Sequence, residues 1–263
     1  MATPFEPREV DKPFIPRWLR LTLQLFARSP VRFGILIAAL GWIDTSAVKL
    51  ADGYVVPKIW IDRIGTLLLP ILWMIVSAVS RGADDSHRTW EALSALRRRQ
   101  VWLGTLSTGA TIVIMQWLVR LMLAGVVPLR AQGPQVSLQH PGEFMESIAA
   151  NVLITCVFVG LCYFPLLVLG PELSPGDARH LSRKAARING DWPTWIFVAI
   201  VAVGANAVAS VAPAYGMTAA AFLVFLGVFN FVAYRDIFDR RDQNLRKAVA
   251  LAPLPQAAPA HEG

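Results

Sequence analysis

The sequence predicts an all-α membrane protein with six transmembrane helices in three hairpins, each hairpin preceded by a short cytoplasmic amphipathic helix. Hydrophobic residues make up 55% of the 263-residue chain and charged residues only 16%, whereas soluble domains carry about a quarter charged residues. The apolar residues are gathered into long runs between short charged stretches, and a spanning helix needs about 20 mostly apolar residues. Basic residues lie mainly in alternate connections between these runs, as expected when a chain crosses a membrane repeatedly.

Six apolar runs are candidate spans, and each is expected to be helical because backbone groups cannot stay unpaired in lipid. They cover residues 31–48, 64–79, 101–127, 148–169, 195–211 and 217–234. Asp44 and Lys49 lie near the far end of the first run, and Arg120 lies within the third, which is long for a single span. The fourth, fifth and sixth runs carry no such charges.

The distribution of basic residues predicts the orientation of the spans, because cytoplasmic loops carry an excess of lysine and arginine. Twenty of the 25 basic residues fall on one side, in segments 8–32, 81–99, 179–187 and 235–247, and four fall on the other. Both termini are therefore predicted to be cytoplasmic. The net charge of +7 and the pI near 9.9 then describe a face that meets anionic phospholipids, and no nucleic-acid partner is predicted.

Three cytoplasmic segments are predicted to be amphipathic helices that lie in the headgroup region. They cover residues 16–30, 84–100 and 176–190. Their apolar faces are expected to consist of Trp18, Leu21 and Leu25; of Trp90, Leu93 and Leu96; and of Ala178, Leu181, Ala185 and Ile188. Each segment precedes a hydrophobic hairpin, so the chain reads as three copies of one unit. Duplication and physical convergence explain this pattern equally well.

The segments outside this unit pattern are expected to be tails. Residues 1–13 are predicted to be a disordered N-terminal tail, and residues 14–247 the transmembrane domain. Residues 248–263 are rich in alanine and proline without periodicity, which is typical of a disordered C-terminal tail.

The ending VAYRDIFDRR, the FARSP joint before the first span, the SRKAARING segment and the three helix–hairpin units together resemble an uncharacterised family of proteobacterial inner-membrane proteins with six spans. A Tyr-Arg-Asp-Ile-Phe motif after the last helix, here Tyr234 to Phe238, distinguishes that family. Its layout is similar to a broader group that includes the membrane domain of some glycerophosphodiester phosphodiesterases. The resemblance implies a location in the bacterial inner membrane, and it brings no established activity.

The segment around this motif is interpreted as the exit of a helix from the membrane. Tyr234 suits an interfacial ring with a wet hydroxyl group, and Arg235 can meet a lipid phosphate. Asp236 is expected to pair with Arg240 four residues later. Residues 237–238 are expected at the headgroup boundary.

Two groups of residues are candidates for function. Five cytoplasmic arginines are predicted to contact lipid headgroups or a partner: Arg97, Arg98, Arg99, Arg235 and Arg240. Arg120 and Asn206 are the candidates within spans, because polar and charged side chains in lipid are costly without a partner or a role. A structural interpretation is favoured for Arg120, in which it reaches the outer headgroups or pairs with Asp44.

Catalytic motifs such as HExxH, GxxxxGK[ST] and GxSxG do not occur in the sequence. Asp84, Asp85 and His87 are close together but lack a second histidine or cysteine nearby, and acidic residues at a helix start favour the helix dipole. Cys156 and Cys162 point in different directions from one helix and are expected to be packing residues. Neither enzymatic activity nor a metal or other cofactor is predicted.

These features favour a non-catalytic multi-pass membrane protein that organises lipids or a partner complex through its basic cytoplasmic face. Its expected partners are membrane phospholipids, together with further copies of the chain or another membrane complex. The alternative is a small transporter or channel built from helical hairpins. In that alternative, Arg120, Asn206 and kinks at Pro70 and Pro165 would serve the pathway.

Overall fold

A computed structural model describes residues 6–53, 58–85, 89–124, 162–170, 172–189 and 216–238. These residues form eight helices and no strand, so the all-α class is confirmed for the described part of the chain. The helices are α1 (Phe14–Arg28), α2 (Pro30–Gly53), α3 (Lys58–Asp84), α4 (Thr89–Ala95), α5 (Arg99–Ala124), α6 (Tyr163–Leu169), α7 (Pro175–Asn189) and α8 (Gly216–Phe238).

In the first half of the chain, short helices precede long ones, as the sequence predicts. The 15-residue α1 precedes α2 and α3, which have 24 and 27 residues, and the seven-residue α4 precedes the 26-residue α5. At about 1.5 Å per residue, each of the three long helices exceeds the roughly 30 Å of a bilayer core.

The number of candidate spans in the described residues is smaller than the six predicted. One segment, Ala220–Phe238 in α8, is long and apolar enough to cross a membrane by itself. A second candidate is the pair formed by α1 and Pro30–Ile43 of α2, which is bent by 94°. The side chains of residues 47–69, residues 148–161 of the fourth predicted span and all of the fifth, 195–211, lie outside the described part. A buried apolar helix also occurs in the cores of soluble proteins, so six spans are not confirmed.

Helix α8 lies at the centre of the described helices and contacts α1, α2, α3 and α6. Its sequence explains this position, because it carries buried apolar side chains around its circumference. Val224, Val228, Phe229, Phe231 and Val232 are all fully or almost fully buried. A helix that is apolar on every side has to be covered on every side, and here other helices provide much of the cover.

The apolar face predicted for α1 is present, and it packs against protein. Trp18 is 0% exposed and Leu25 is also buried. The ring of Trp18 lies 5.7 Å from that of Phe229 in α8, in an edge-to-face arrangement. α1 therefore lies across the end of α8, which covers its apolar face. The sequence had instead predicted that this face would lie in the headgroup region.

The buried face of α7 agrees in part with the predicted one, because Ala178 and Ala185 are buried and Leu181 is half-buried. The buried residues include Ala178, Ser182 and Ala185, whereas Ile188 is exposed. Small side chains allow helices to approach closely, and α7 uses them to pack on α5 and α6. The face is therefore rotated from the predicted one towards Ser182 and Ala186, which are buried, and away from Ile188.

The apolar face of α4, by contrast, points away from the protein. Trp90 is 74% exposed, and Leu93 is exposed as well. Leu96, which follows the helix, is half-buried. Of the three short helices predicted to be amphipathic, α4 is thus the one whose large apolar side chains remain uncovered in the described structure.

Residues 6–13 belong to the tail that the sequence analysis predicts to be disordered, yet they are attached to the helices. Val10 is buried, and the backbone of Arg8 bonds to the end of α8. We call residues 6–13 the N-terminal segment. Backbone groups that find partners in this way explain why a proline-containing, non-helical stretch holds a defined position.

The close contact between α3 and α8 predicts the effect of adding one methyl group. Gly227→Ala should destabilise the protein, because a Cβ there would lie 2.6 Å from Cγ1 of Val76. Overpacking costs about 1–3 kcal/mol, which outweighs the ~1 kcal/mol that alanine gains over glycine in a helix. Gly34→Ala is the matched control, since no atom lies within 4 Å of its Cβ position. Thermal unfolding should separate the two variants, and equal midpoints would contradict the packing described.

Candidate functional site

The carboxylate of Asp236, in the last turn of α8, is the centre of a cluster of polar side chains. It accepts a hydrogen bond from Nε1 of Trp18 at 2.8 Å and one from Nη2 of Arg8 at 3.0 Å. Arg17 completes the cluster with an ion pair to Oδ2. Phe229 and Asp236 are seven residues apart and so share a face of α8, which lets Trp18 contact both. The Asp236 side chain is only 11% exposed, and at this depth an unpaired charge would be strongly unfavourable.

Arg8 also caps the C-terminal end of α8. The last four carbonyl groups of a helix have no partner within it. The backbone N–H of Arg8 donates to the carbonyl of Ile237 at 3.3 Å, and its Nε donates to the carbonyl of Asp236. A cation is also favourable at the negative end of the helix dipole. One residue of the N-terminal segment therefore satisfies two carbonyls and a carboxylate.

Asn189, the last residue of α7, holds the N-terminal segment from the other side. Its Oδ1 accepts a hydrogen bond from the backbone N–H of Val10, and its Nδ2 donates to the carbonyl of Arg8, both at 2.8 Å. An exposed ion pair between Lys184 and Glu6 at 3.1 Å adds little, because solvent screens it. The N-terminal segment is thus clamped between α7 and α8.

Asp84 and Arg235 form a second ion pair, between the end of α3 and the last turn of α8. From the sequence we expected Asp84 at the start of a helix and Arg235 against a lipid phosphate. Instead, Asp84 is the final residue of α3, and the two side chains neutralise each other where both are mostly buried.

The Tyr-Arg-Asp-Ile-Phe motif belongs to the last turns of α8, which ends at Phe238. Tyr234, Ile237 and Phe238 are all buried, so the tyrosine ring is not at a wet interface. The ring of Tyr234 stacks on that of Phe238 at 5.7 Å. The motif therefore contributes to the protein interior, where its two charged residues pair with arginine and aspartate from other parts of the chain.

A cleft of about 470 Å³ lies next to these ion pairs, where the chain turns from α1 into α2. Its walls are residues 28–32 at the turn and residues 82–84 at the end of α3. Arg32 donates from Nη1 to the carbonyl of Gly82 at 2.6 Å and so bridges the two walls. A smaller cavity of about 70 Å³ adjoins it and also contains Arg28, Asp84 and Arg235 in its lining.

The three consecutive arginines predicted to contact lipid or a partner have different environments. Arg97 and Arg99 are exposed. Arg98 is half-buried and donates to the carbonyls of Val168 and Gly170, so it caps the C-terminal end of α6. Burial lowers the pKa of the Arg98 guanidinium from its usual value, although arginine starts high enough to remain charged at neutral pH.

The remaining predicted site residues lie beyond what the structure describes. Arg240 and Asn206 are outside the described residues, and so is the side chain of Arg120, whose backbone belongs to α5. The expected Asp236–Arg240 pair is therefore not described, and Asp236 has the partners given above. The transporter alternative, which depends on Arg120 and Asn206, stays a prediction.

Nothing in the sequence alone indicated Arg8, Asn189 or the turn residues 28–32 as parts of a site. A signal was present at Trp18, because a buried indole N–H usually finds an acceptor, and a carboxylate is a strong one. Within the described ranges, no group of three or more His, Cys, Asp or Glu side chains could hold a metal ion. Chemically, the site combines two carboxylates that are paired with arginine, Asp84 and Asp236, with other arginines that can bind anions.

Removing the charge of Asp236 should destabilise the protein. Asp236→Asn keeps the size of the side chain but leaves Arg8 and Arg17 without a carboxylate. We expect a loss of about 2 kcal/mol in the free energy of unfolding, since charge-assisted hydrogen bonds contribute about 1.5–3 kcal/mol. Glu6→Gln, which breaks an exposed pair, should cost less than about 1 kcal/mol. Denaturant unfolding measures both, and equal losses would contradict a central role for Asp236.

The different environments of neighbouring arginines predict different effects on stability. Arg98→Gln should lower the free energy of unfolding by about 1–2 kcal/mol, because carbonyls at the end of α6 lose their donor. Arg97→Gln should change it by less than about 0.5 kcal/mol, as for other exposed positions. Thermal unfolding of the two single variants provides the comparison. A stable Arg98→Gln protein would show that water replaces the guanidinium without loss.

No protein-family model matches this chain, and neither a curated protein nor a solved structure does. The geometry of the cluster and of the cleft is therefore the basis for assigning function. Asp236 in α8 and Asp84 at the end of α3 are neutralised by arginine, whereas Arg28, Arg97 and Arg99 are exposed cations. This arrangement favours binding of anionic groups.

Proposed function

We propose that the chain is a non-catalytic multi-pass protein of the bacterial inner membrane that organises anionic lipids, or a partner complex, through its basic cytoplasmic face. In this proposal it has six spans in three hairpins, with both termini in the cytoplasm. The observation that carries it is the outward exposure of large apolar side chains on the same helices that also bury apolar side chains.

Helices α2 and α5 supply this observation. In α2, Val31 and Ile35 are exposed by 70% and 65%, while Phe33 is buried. In α5, Leu103 and Ile114 are exposed although Ile112 is buried. A surface helix of a soluble protein carries polar residues on its outer face, whereas a helix apolar all round needs cover from protein or lipid. Lipid is the cover that fits two long helices with apolar outer faces.

The region around α4 supports an interfacial arrangement. Trp90 and Leu93 expose an apolar surface, Arg97 and Arg99 follow it, and Trp102 is exposed at the beginning of α5. Tryptophan is enriched at membrane–water interfaces, and cytoplasmic arginines are attracted to anionic headgroups. This order of residues is expected where a chain passes from a surface helix into a span.

The proposal assigns a structural role to Asp84 and Asp236, two carboxylates that lie near the C-terminal end of α8. Asp84 is paired with Arg235, and Asp236 is paired with Arg8 and Arg17. In both pairs a carboxylate oxygen accepts hydrogen bonds from arginine side chains of other parts of the chain. The geometry suits a structural role for both residues.

The proposal predicts that charge at Arg97 and Arg99 controls lipid preference. The protein should remain in membranes washed with alkaline carbonate. Once extracted in detergent, it should retain phosphatidylglycerol in preference to phosphatidylcholine when observed by native mass spectrometry. Arg97→Gln with Arg99→Gln should weaken phosphatidylglycerol retention roughly thirtyfold, since each basic residue near an anionic surface contributes about 1 kcal/mol.

The matched control is the Arg97→Lys and Arg99→Lys double variant, which keeps both charges and should retain phosphatidylglycerol like the original chain. A protein released by carbonate washing would refute the membrane assignment. Equal retention of the two lipids by the unmodified chain would refute the role of the basic face. A stoichiometric protein partner that survives extraction would favour the partner form of the proposal.

A further inference from the structure

The cleft at the turn between α1 and α2 has a charge pattern suited to an anion. Arg28 is exposed and makes no hydrogen bond or ion pair with any described residue. Arg32 is exposed too and uses Nη1 to bond the carbonyl of Gly82, which leaves its other donors available. Asp84 is the acidic residue in the lining, and Arg235 neutralises it. Two arginines therefore face the cleft without a competing free carboxylate.

The two helix ends at the cleft also carry partial charges. α2 begins at Pro30, so its unpaired N–H groups and the positive end of its dipole lie at the turn. The end of α3 contributes carbonyl groups of opposite sign. Arg32 covers one of them, that of Gly82, and so reduces this opposing effect. The local balance remains favourable for an anion.

An exposed apolar stripe starts in the wall of the cleft and continues along α2. Val31 lines the cleft, and Ile35 and Trp42 follow it at intervals of four and seven residues, which place all three on one face. Ala38 and Ala39 are exposed between them. The stripe extends about 17 Å at 1.5 Å per residue. Trp42 is 72% exposed, so this face is not covered by any described helix.

We propose that this cleft binds one anionic phospholipid, with its phosphate between Arg28 and Arg32 and an acyl chain along the stripe from Val31 to Trp42. The inference rests on the proposed membrane function and makes it specific to one lipid position. A free anion would need only the two arginines. The stripe that begins at the same point favours a ligand that is charged at one end and apolar along its length.

The turn of 94° between α1 and α2 explains why both parts of this ligand can be met together. α1 lies across the end of α8, and α2 runs away from it along α8. Arg28 is the last residue of α1, and Val31 is the second residue of α2. The charged part of the site thus belongs to the helix that would lie at the membrane surface, and the apolar part to the helix that would enter the bilayer.

The test is a lipid titration of the whole chain in detergent, followed by native mass spectrometry. The probes are palmitoyl-oleoyl phosphatidylglycerol and palmitoyl-oleoyl phosphatidylcholine, and the quantity measured is the dissociation constant of the first bound lipid. Arg28→Gln should weaken phosphatidylglycerol binding roughly tenfold or more, as expected for the loss of a charge-assisted hydrogen bond. Arg20→Gln is the matched control, because Arg20 is exposed on the same helix but does not line the cleft, and it should change binding less than about twofold.

A second pair of variants distinguishes a lipid from a free phosphate compound. Ile35→Asn should weaken phosphatidylglycerol binding severalfold, whereas Ile114→Asn, at an exposed position on α5, should leave it unchanged. Glycerol 3-phosphate should not displace the lipid when it is added at a concentration equal to the dissociation constant measured for phosphatidylglycerol. Displacement at that concentration would overturn the lipid assignment in favour of a soluble anion.

The possible failures are distinguishable from those of the proposed function. If Arg28→Gln and Arg20→Gln behave alike while the unmodified chain still prefers phosphatidylglycerol, the specific site is refuted and the general basic face stands. If the unmodified chain has no preference, both proposals fail. Unchanged thermal unfolding of Arg28→Gln confirms that its loss of binding is not a loss of fold, as expected for an exposed side chain without partners.

Discussion

The arrangement of the described helices depends on one requirement, that the carboxylate of Asp236 be paired where it lies. The end of an apolar helix surrounded by other helices offers little water to a charge, and desolvation without a partner costs several kcal/mol. Trp18 reaches this carboxylate only if α1 crosses the last turn of α8. Arg8 reaches it only if the N-terminal segment runs back to the same place, where Asn189 brings in α7. Segments more than 200 positions apart in the sequence thus converge on one residue.

The position of α1 in turn determines where α2 can begin. α1 is held across the end of α8, while α2 packs along it, so the chain has to change direction sharply at Ser29. This change places Arg28 and Arg32 on either side of the turn and opposite the end of α3. The cleft is therefore a consequence of the helix arrangement and needs no specialised loop. Its charge follows from residues that serve the turn and from the pairing of Asp84 elsewhere.

The helices themselves could be predicted because run length and periodicity are local properties of the sequence. The buried face of α1, including Trp18 and Leu25, follows from the same pattern. Periodicity does not reveal what covers an apolar face, however, since lipid and protein require the same residues. α1 and α4 accordingly look alike in the sequence, although Trp18 is buried and Trp90 is exposed. The partners of Asp236 could not be predicted either. The spacing rule for ion pairs within a helix points to Arg240, four positions away, whereas Arg8 and Arg17 come from the opposite end of the chain.

The two charged residues of the Tyr-Arg-Asp-Ile-Phe motif have separate structural tasks, and this division explains which cations remain for a ligand. Asp236 occupies Arg8 and Arg17, and Arg235 occupies Asp84. Without Arg235, the carboxylate of Asp84 would face the cleft and oppose one of its two arginines. The motif therefore influences the charge of the cleft through Arg235, because its ion pair neutralises the carboxylate of Asp84 that would repel an anion. Arg28 and Arg32 can attract a phosphate because Arg235, which does not line the main cleft, neutralises their acidic neighbour Asp84.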